Sequence, residues 1–301
     1  MLNRDLFLKK QIKNKDFFIS VCKPFNPEVL NFIEDFSRIL KKQKTTYKNL
    51  NLLYLADWCS KKNIQSIKKK HFIPRFKIGR GLVFHISPSN VPTNFIYSFL
   101  FGILSGNSNI IKIPSNNFIE KEIILKNIKI LFKIKKYKKI KNSNFFIQYD
   151  KNQNGQLTKN LSSVCDARLI WGGDNTVNQI KKYWIPERAI DLTFPDRYSF
   201  CIINSKKFDS LNSQNIKKLV KNFFYDSYLM DQFSCNSPHF VFWIGELDSN
   251  KKRKFWKNLN EFAKKRYLLN EKNSITKFTN IVENIFEEKN LKKIQMLHSN
   301  L

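Results

Sequence analysis

Between Gly79 and Phe118 the chain reads GRGLVFHISPSNVPTNFIYSFLFGILSGNSNIIKIPSNNF. A short apolar run, Leu82 to Ile86, breaks at Ser87-Pro88-Ser89-Asn90, resumes as a long apolar helix candidate and closes on a second run, Asn109 to Ile113. That order predicts strand, turn, helix, strand, the crossover unit of α/β proteins. In open parallel sheets ligands bind just beyond the carboxyl ends of the strands, so Asn90, in the turn after the first run, is expected to project at a ligand.

The flanking sequence extends the pattern. Residues 1–25 are Lys-rich with scattered Phe and no clear period, and are expected to be irregular or helical. From Asn26, a suitable N-cap followed by Pro27, the residues Leu30, Ile33, Phe36 and Leu40 fall at helical spacing and end in Lys41-Lys42. A second helix is predicted over about Leu50 to Lys62. A third is predicted over Phe118 to about Lys139, where Ile119, Ile123, Ile124, Ile128, Leu131 and Ile134 recur among lysines. Short strands are predicted at Asn144 to Tyr149, Ala167 to Trp171, Tyr198 to Ile203 and Phe240 to Trp243, with a helix over Gln214 to Tyr228 and two charged amphipathic helices after Glu246. Strands alternating with helices imply a largely parallel sheet, and the Pro195-Asp196-Arg197 turn marks a boundary between a domain of residues 1–195 and one of 196–301.

Composition narrows the class. With 301 residues and 42% hydrophobic content the chain can bury a sizeable core. No stretch approaches the roughly 18 apolar residues of a membrane helix, so no membrane span is expected, and Met1 to Lys15 lacks the apolar centre of a secretory signal; a cytoplasmic protein is expected. The five cysteines, Cys22, Cys59, Cys165, Cys201 and Cys235, are widely spaced without a C-x-x-C pair, which argues against a zinc site or any other metal and against a disulfide framework. A formal charge of +30 would suit a nucleic-acid or anionic membrane surface. Lys, Asn, Ile and Phe are inflated together, however, as an AT-rich genome would inflate them, and no nucleic-acid motif is present, so no specific nucleic acid is expected. The positive field would still attract phosphorylated ligands.

Three segments carry candidate chemistry. No G-x-G-x-x-G fingerprint occurs. In its place stands Trp171-Gly172-Gly173-Asp174-Asn175-Thr176, where two glycines would let the backbone approach a ligand or would simply serve a turn. Lys112, at the end of the second apolar run, suits either a cofactor ribose or phosphate or a solvated surface. Cys235, among Ser234, Asn236, Ser237 and Pro238, is a thiol in a polar loop, the setting of a nucleophile, although an arbitrary cysteine is more often structural. His85, His239, Cys165 and Cys201 read as structural residues.

The Ser-Pro-Ser-Asn-Val-Pro-Thr-Asn turn, the Leu-Ser-Gly-Asn-Ser-Asn step at 104–109, the segment Cys165 to Asn175 and the loop Asp231 to Pro238 together resemble the LuxC-type acyl-CoA reductases, long-chain fatty-acyl-CoA reductases of the aldehyde dehydrogenase superfamily. The resemblance covers roughly residues 27 to 270. It implies an α/β, aldehyde-dehydrogenase-like cofactor domain with a largely parallel sheet, followed by an incomplete catalytic domain, since members of that family continue well beyond residue 301. It also implies reduction of a fatty acyl-CoA or other acyl thioester to the aldehyde with NADPH, through a thioester on Cys235. In that scheme the Asn90 amide and the Cys235 backbone N–H stabilise the oxyanion, Ser87 and Pro88 shape the turn, Lys112 meets the ribose or its phosphate, and Gly172 and Gly173 approach the pyrophosphate. An acyl-transferring or synthetase partner protein is implied too, and homo-oligomers stay open. Oxidising aldehyde dehydrogenases carry a water-activating glutamate where this chain has Thr193, Phe194 and Pro195; without that base a thioester can wait for reduction. Two rival readings remain: a catalytically incomplete remnant or binding protein of the same fold, and a basic nucleic-acid-binding protein.

Overall fold

In the computed structural model of the chain, residues 4–71, 76–89, 91–149, 155–195, 197, 199–228 and 237–267 are described, with isolated positions at 275, 278, 279 and 282. The chain divides into two compact units, Met1–Asp196 and Arg197–Leu301.

Unit 1 opens with helices α1 (Arg4–Gln11), α2 (Pro27–Lys41), α3 (Lys44–Lys48), α4 (Leu50–Trp58) and α5 (Lys61–His71). The N-cap expected of Asn26 is present, its side chain accepting from the Glu28 N–H at 2.9 Å, and Phe32, Ile33, Phe36 and Leu40 form the buried stripe of α2. The helix expected over Leu50 to Lys62 is instead two. It stops at Trp58, and Asn63 donates its side-chain amide to the Trp58 carbonyl at 2.7 Å where α5 begins.

Then follow β1 (Leu82–Ile86), α6 (Asn94–Leu104), β2 (Ser108–Lys112), α7 (Ile119–Phe132), α8 (Lys138–Asn142), β3 (Asn144–Ile147), α9 (Gly155–Ser162), β4 (Ala167–Trp171), α10 (Asp174–Lys181) and β5 (Ile190–Phe194). The helix expected to run to Lys139 breaks after Phe132 and continues as a 3-10 turn, Lys135–Tyr137, and α8. Tyr137 is buried there, its hydroxyl donating to Asp35 at 2.6 Å, so the lysine-rich run wraps back onto α2. β5 was not anticipated.

All five strands are parallel, in the order β3-β2-β1-β4-β5. The direction of winding reverses between β1 and β4, which makes the gap beyond their carboxyl ends a topological switch point. One face carries Val83, His85, Ile111, Leu169, Trp171, Leu192 and Phe194, as the register dictates. Over β1 and β2 it is covered by α6, whose residues are nearly all apolar and buried, and then by α2, α4 and α7. The other face carries Phe84, Ile86, Ile110 and Ile170 and packs with Leu8, Phe17, Leu161, Val177 and Ile180. On that face the fully buried Arg168 makes a bidentate pair with its cross-strand partner Asp191, both bonds at 2.8 Å, and also donates to the Ser162 hydroxyl and the Tyr183 carbonyl.

Unit 2 contains β6 (Ser199–Asn204), α11 (Ser205–Asp209), α12 (Ser213–Tyr228), β7 (Pro238–Ile244) and α13 (Ser249–Lys264). β6 and β7 pair in parallel. Ile203, Val220, Phe224, Phe255 and Leu259 build a core between the strands and the two long helices, while Phe200, Ile202, Phe242 and Ile244 remain exposed. Among the described residues, no helix is long and apolar enough to cross a membrane.

Candidate active site

Five of the seven candidate residues lie together at the carboxyl edge of the unit 1 sheet. Ser87 and Pro88 leave β1, Lys112 ends β2 opposite Ile86, and Gly172 and Gly173 follow Trp171 at the end of β4. Asn90 and Cys235 lie outside the described residues.

Ser87 is 6% exposed, and its hydroxyl has no hydrogen-bond partner; the same holds for the side-chain oxygen of Asn94, the first residue of α6. Buried polar atoms are nearly always paired, so two orphans flanking one turn mark a place where a polar ligand group would be accepted. The Lys112 ammonium sits 5.1 Å from the centroid of the Tyr149 ring, a cation–π contact at the same edge. Gly172 has a local reason to be glycine: a Cβ there would come within 3.1 Å of the Thr176 methyl, so its absence lets β4 turn tightly into α10. Gly173 caps α10 through its carbonyl, which accepts from Thr176 and Val177, and the exposed Asp174 already places negative charge in the first turn.

Beneath this edge runs a hydrogen-bond chain that sequence reasoning did not find. The Trp171 indole N–H donates to Ser98 Oγ at 3.1 Å, Ser98 Oγ lies 2.7 Å from His85 Nδ1, and His85 Nε2 lies 2.8 Å from Asn109 Oδ1. Asn109 uses its amide N–H groups on the Asn107 carbonyl and on Asn144 Oδ1, so its oxygen must accept. The network therefore assigns the proton to His85 Nε2 and leaves Nδ1 to accept from the Ser98 hydroxyl. Burial, only partly offset by the bond to Asn109, lowers the His85 pKa to about 4, keeping the ring neutral. Gly102 makes room: a Cβ there would lie 2.1 Å from Asn109 Oδ1 and 3.1 Å from His85 Cε1. Trp171 in turn stacks on its cross-strand partner Phe194, with ring centroids 3.8 Å apart and planes 8° from parallel. The aromatic spacing of β4 and β5 was the available signal, and it required knowing that β5 exists.

The described thiols are poor nucleophiles. Burial raises the pKa of Cys22, Cys59 and Cys201, and pushes Cys165 up to about 12. A cleft of about 670 Å³ lined by Arg4, Asp166, Trp184 and Arg188 opens at the opposite, amino edge of the sheet, where Arg4 pairs with Asp166 at 2.7 Å. None of the candidate residues lines it.

The α/β architecture and its parallel sheet are those of the aldehyde dehydrogenases. An aldehyde dehydrogenase from Bartonella henselae matches with a TM-score of 0.56 at 16% identity, over 95% of this chain and 63% of its own. A NAD-dependent benzaldehyde dehydrogenase from Corynebacterium glutamicum matches with a TM-score of 0.59 at 12% identity, over 93% and 66%. A NADP-dependent glyceraldehyde-3-phosphate dehydrogenase from Bacillus halodurans, in complex with NADP, matches with a TM-score of 0.56 at 12% identity, over 99% and 66%. At such identities the likeness establishes the fold alone, and the chain spans less than two thirds of the length of these structures. No curated protein matches the sequence. The model of the family described as acyl-CoA reductase (LuxC) matches residues 25–291, and the chain belongs to that family.

Proposed function

We propose that the protein reduces a fatty acyl-CoA, or a related acyl thioester, to the aldehyde with NADPH, through a thioester on Cys235. The observation that carries this reading is the family match over residues 25–291. The Cys235 thiolate attacks the acyl carbonyl carbon, a tetrahedral oxyanion forms, and the bond to the coenzyme A sulfur breaks as that thiolate leaves. NADPH, when bound, supplies the hydride that reduces the thioester carbonyl by two electrons. The resulting oxyanion collapses, the bond from carbon to Cys235 Sγ breaks, and the aldehyde departs with the thiolate restored. Asn90 donates its side-chain amide, and Cys235 its backbone N–H, to the oxygen that gains charge in both steps.

The residues at the carboxyl edge fit a dinucleotide. The orphaned Ser87 hydroxyl can bond a ribose or amide group, and Lys112 offers a cation at the end of β2. NADPH rather than NADH rests on the family resemblance and on a net charge of +30 that favours the additional phosphate. At the Thr193-Phe194-Pro195 segment no carboxylate is available to activate water, which suits a thioester that is reduced before it is hydrolysed.

The test is the intact mass of the chain after incubation with a long-chain acyl-CoA and no NADPH, beside a Cys235→Ala control. One added acyl group on the wild type alone is the expected result. A folded wild type that gains no mass would favour the binding-protein reading.

A further inference from the structure

We propose that the Trp171–Phe194 stack is the platform on which the nicotinamide ring of the cofactor lies, an inference that rests on the cofactor reading above. Trp171 and Phe194 are the last residues of two adjacent strands and sit at the carboxyl edge beside Ser87, on the face that α6 covers only in part. Their rings are stacked in nearly parallel planes with centroids 3.8 Å apart, and Phe194 stays 37% exposed. Phe194 shares its partial exposure with Ile190 and Leu192 of the same edge strand; what distinguishes the ring pair is its place at the carboxyl edge, where two unpartnered polar atoms flank the adjoining turn.

The orientation of the pair is specified to an unusual depth. The indole N–H is held by Ser98, Ser98 by His85, and His85 by Asn109, which in turn bonds Asn144 on β3. His85, Ser98 and Asn109 are each 1% exposed or less. Apolar side chains of similar volume would fill this space without burying five polar groups in series, whereas the chain as built fixes the plane of one indole. A fixed, half-open aromatic plane beside polar acceptors suits a flat heteroaromatic ring with a polar substituent.

The chemistry of the platform selects among such rings. Indole and phenyl faces are electron-rich and attract positive charge. Oxidised nicotinamide is a pyridinium cation, whereas reduced nicotinamide and adenine are neutral. The platform therefore favours NADP⁺ over NADPH, and contributes nothing to the adenosine half. Ser98 and His85 are positioning residues for Trp171.

Calorimetric titration with NADP⁺, NADPH and adenosine 2′,5′-bisphosphate separates the alternatives, using wild type, Trp171→Leu and Trp171→Phe whose melting curves match. In Trp171→Leu the NADP⁺ affinity falls about tenfold, that of NADPH about threefold or less, and that of the bisphosphate is unchanged. Trp171→Phe keeps NADP⁺ within about threefold of wild type. The platform is overturned if Trp171→Leu binds NADP⁺ as the wild type does, if both nicotinamide forms weaken equally, or if the bisphosphate weakens in parallel. A wild type that binds none of the three overturns the cofactor reading itself, and the platform with it.

Discussion

Acidification should unfasten unit 1 through His85. The ring is fully buried between β1, α6 and β2 and bonded on both nitrogens to neutral partners, with no carboxylate among the described residues bonded to it. Its pKa is about 4 in the folded chain, against an ordinary 6.5 once unfolded. The unfolded chain therefore binds the proton first, so stability is full above pH 6.5 and is lost as pH falls from there toward 4. The gap between 6.5 and about 4, at about 1.36 kcal/mol per pH unit, comes to about 3 kcal/mol. Asp35, whose pKa is lowered on balance by Lys136, Tyr137 and Arg38 although burial opposes them, also loses stabilisation in acid, so a control is required. His85→Gln removes the titrating group and leaves Asp35 untouched. Amide hydrogen exchange of the peptide spanning β1, corrected for intrinsic rates, would be followed from pH 7.5 to 4.5 in both proteins. The wild type should lose about 2.5 kcal/mol more than the variant across that range, the remainder falling below pH 4.5. Parallel curves for the two proteins would refute the neutral, doubly bonded histidine.

Two further outcomes are expected. Asp191→Ala leaves the Arg168 guanidinium buried with only Ser162 and the Tyr183 carbonyl, and should cost about 3 kcal/mol in urea denaturation, because breaking a buried pair strands a charge; a loss well under 1 kcal/mol would mean that water reaches the site. Asn90→Ala should slow aldehyde formation about a hundredfold while NADPH binding, followed by fluorescence, stays nearly intact; reduction at the unmodified rate would remove Asn90 from the oxyanion role.

Much of the architecture was legible because β1, β2 and β4 are largely buried on both faces and so read as short runs built on apolar residues, although His85, Asn109 and Arg168 interrupt them. The Asn26 cap and the stripe of α2 were equally plain, since capping and helical period are local properties. β5 escaped notice for the opposite reason. It is an edge strand whose Ile190, Leu192 and Phe194 are partly exposed, and its run abuts the Pro195 turn without a separate signal. The break after Phe132 was hidden because Tyr137 anchors to Asp35, about a hundred residues earlier in the chain. In the candidate site, turn residues could be placed from the order of strands, but the Trp171–Ser98–His85–Asn109 chain could not. Its members are spread over three strands and a helix that precede and follow the turn, and only the strand register brings them into line.

The strand order also governs how the chain reaches this state. β1 meets β2 after a single helix, but its other neighbour, β4, comes only after β2, α7, α8, β3 and α9 have been made. As the polypeptide emerges during synthesis, the β4-facing edge of β1, with Val83, Phe84 and Ile86, stands unpaired while all of those elements are still being added. An apolar edge left open is a template for the wrong strand. The seam along which ligand residues gather is thus sewn only after the β1–β2 and β2–β3 seams, with β4–β5 alone following it in this sheet, and the exposure of the β1 edge ends only when residues 167–171 arrive to close it.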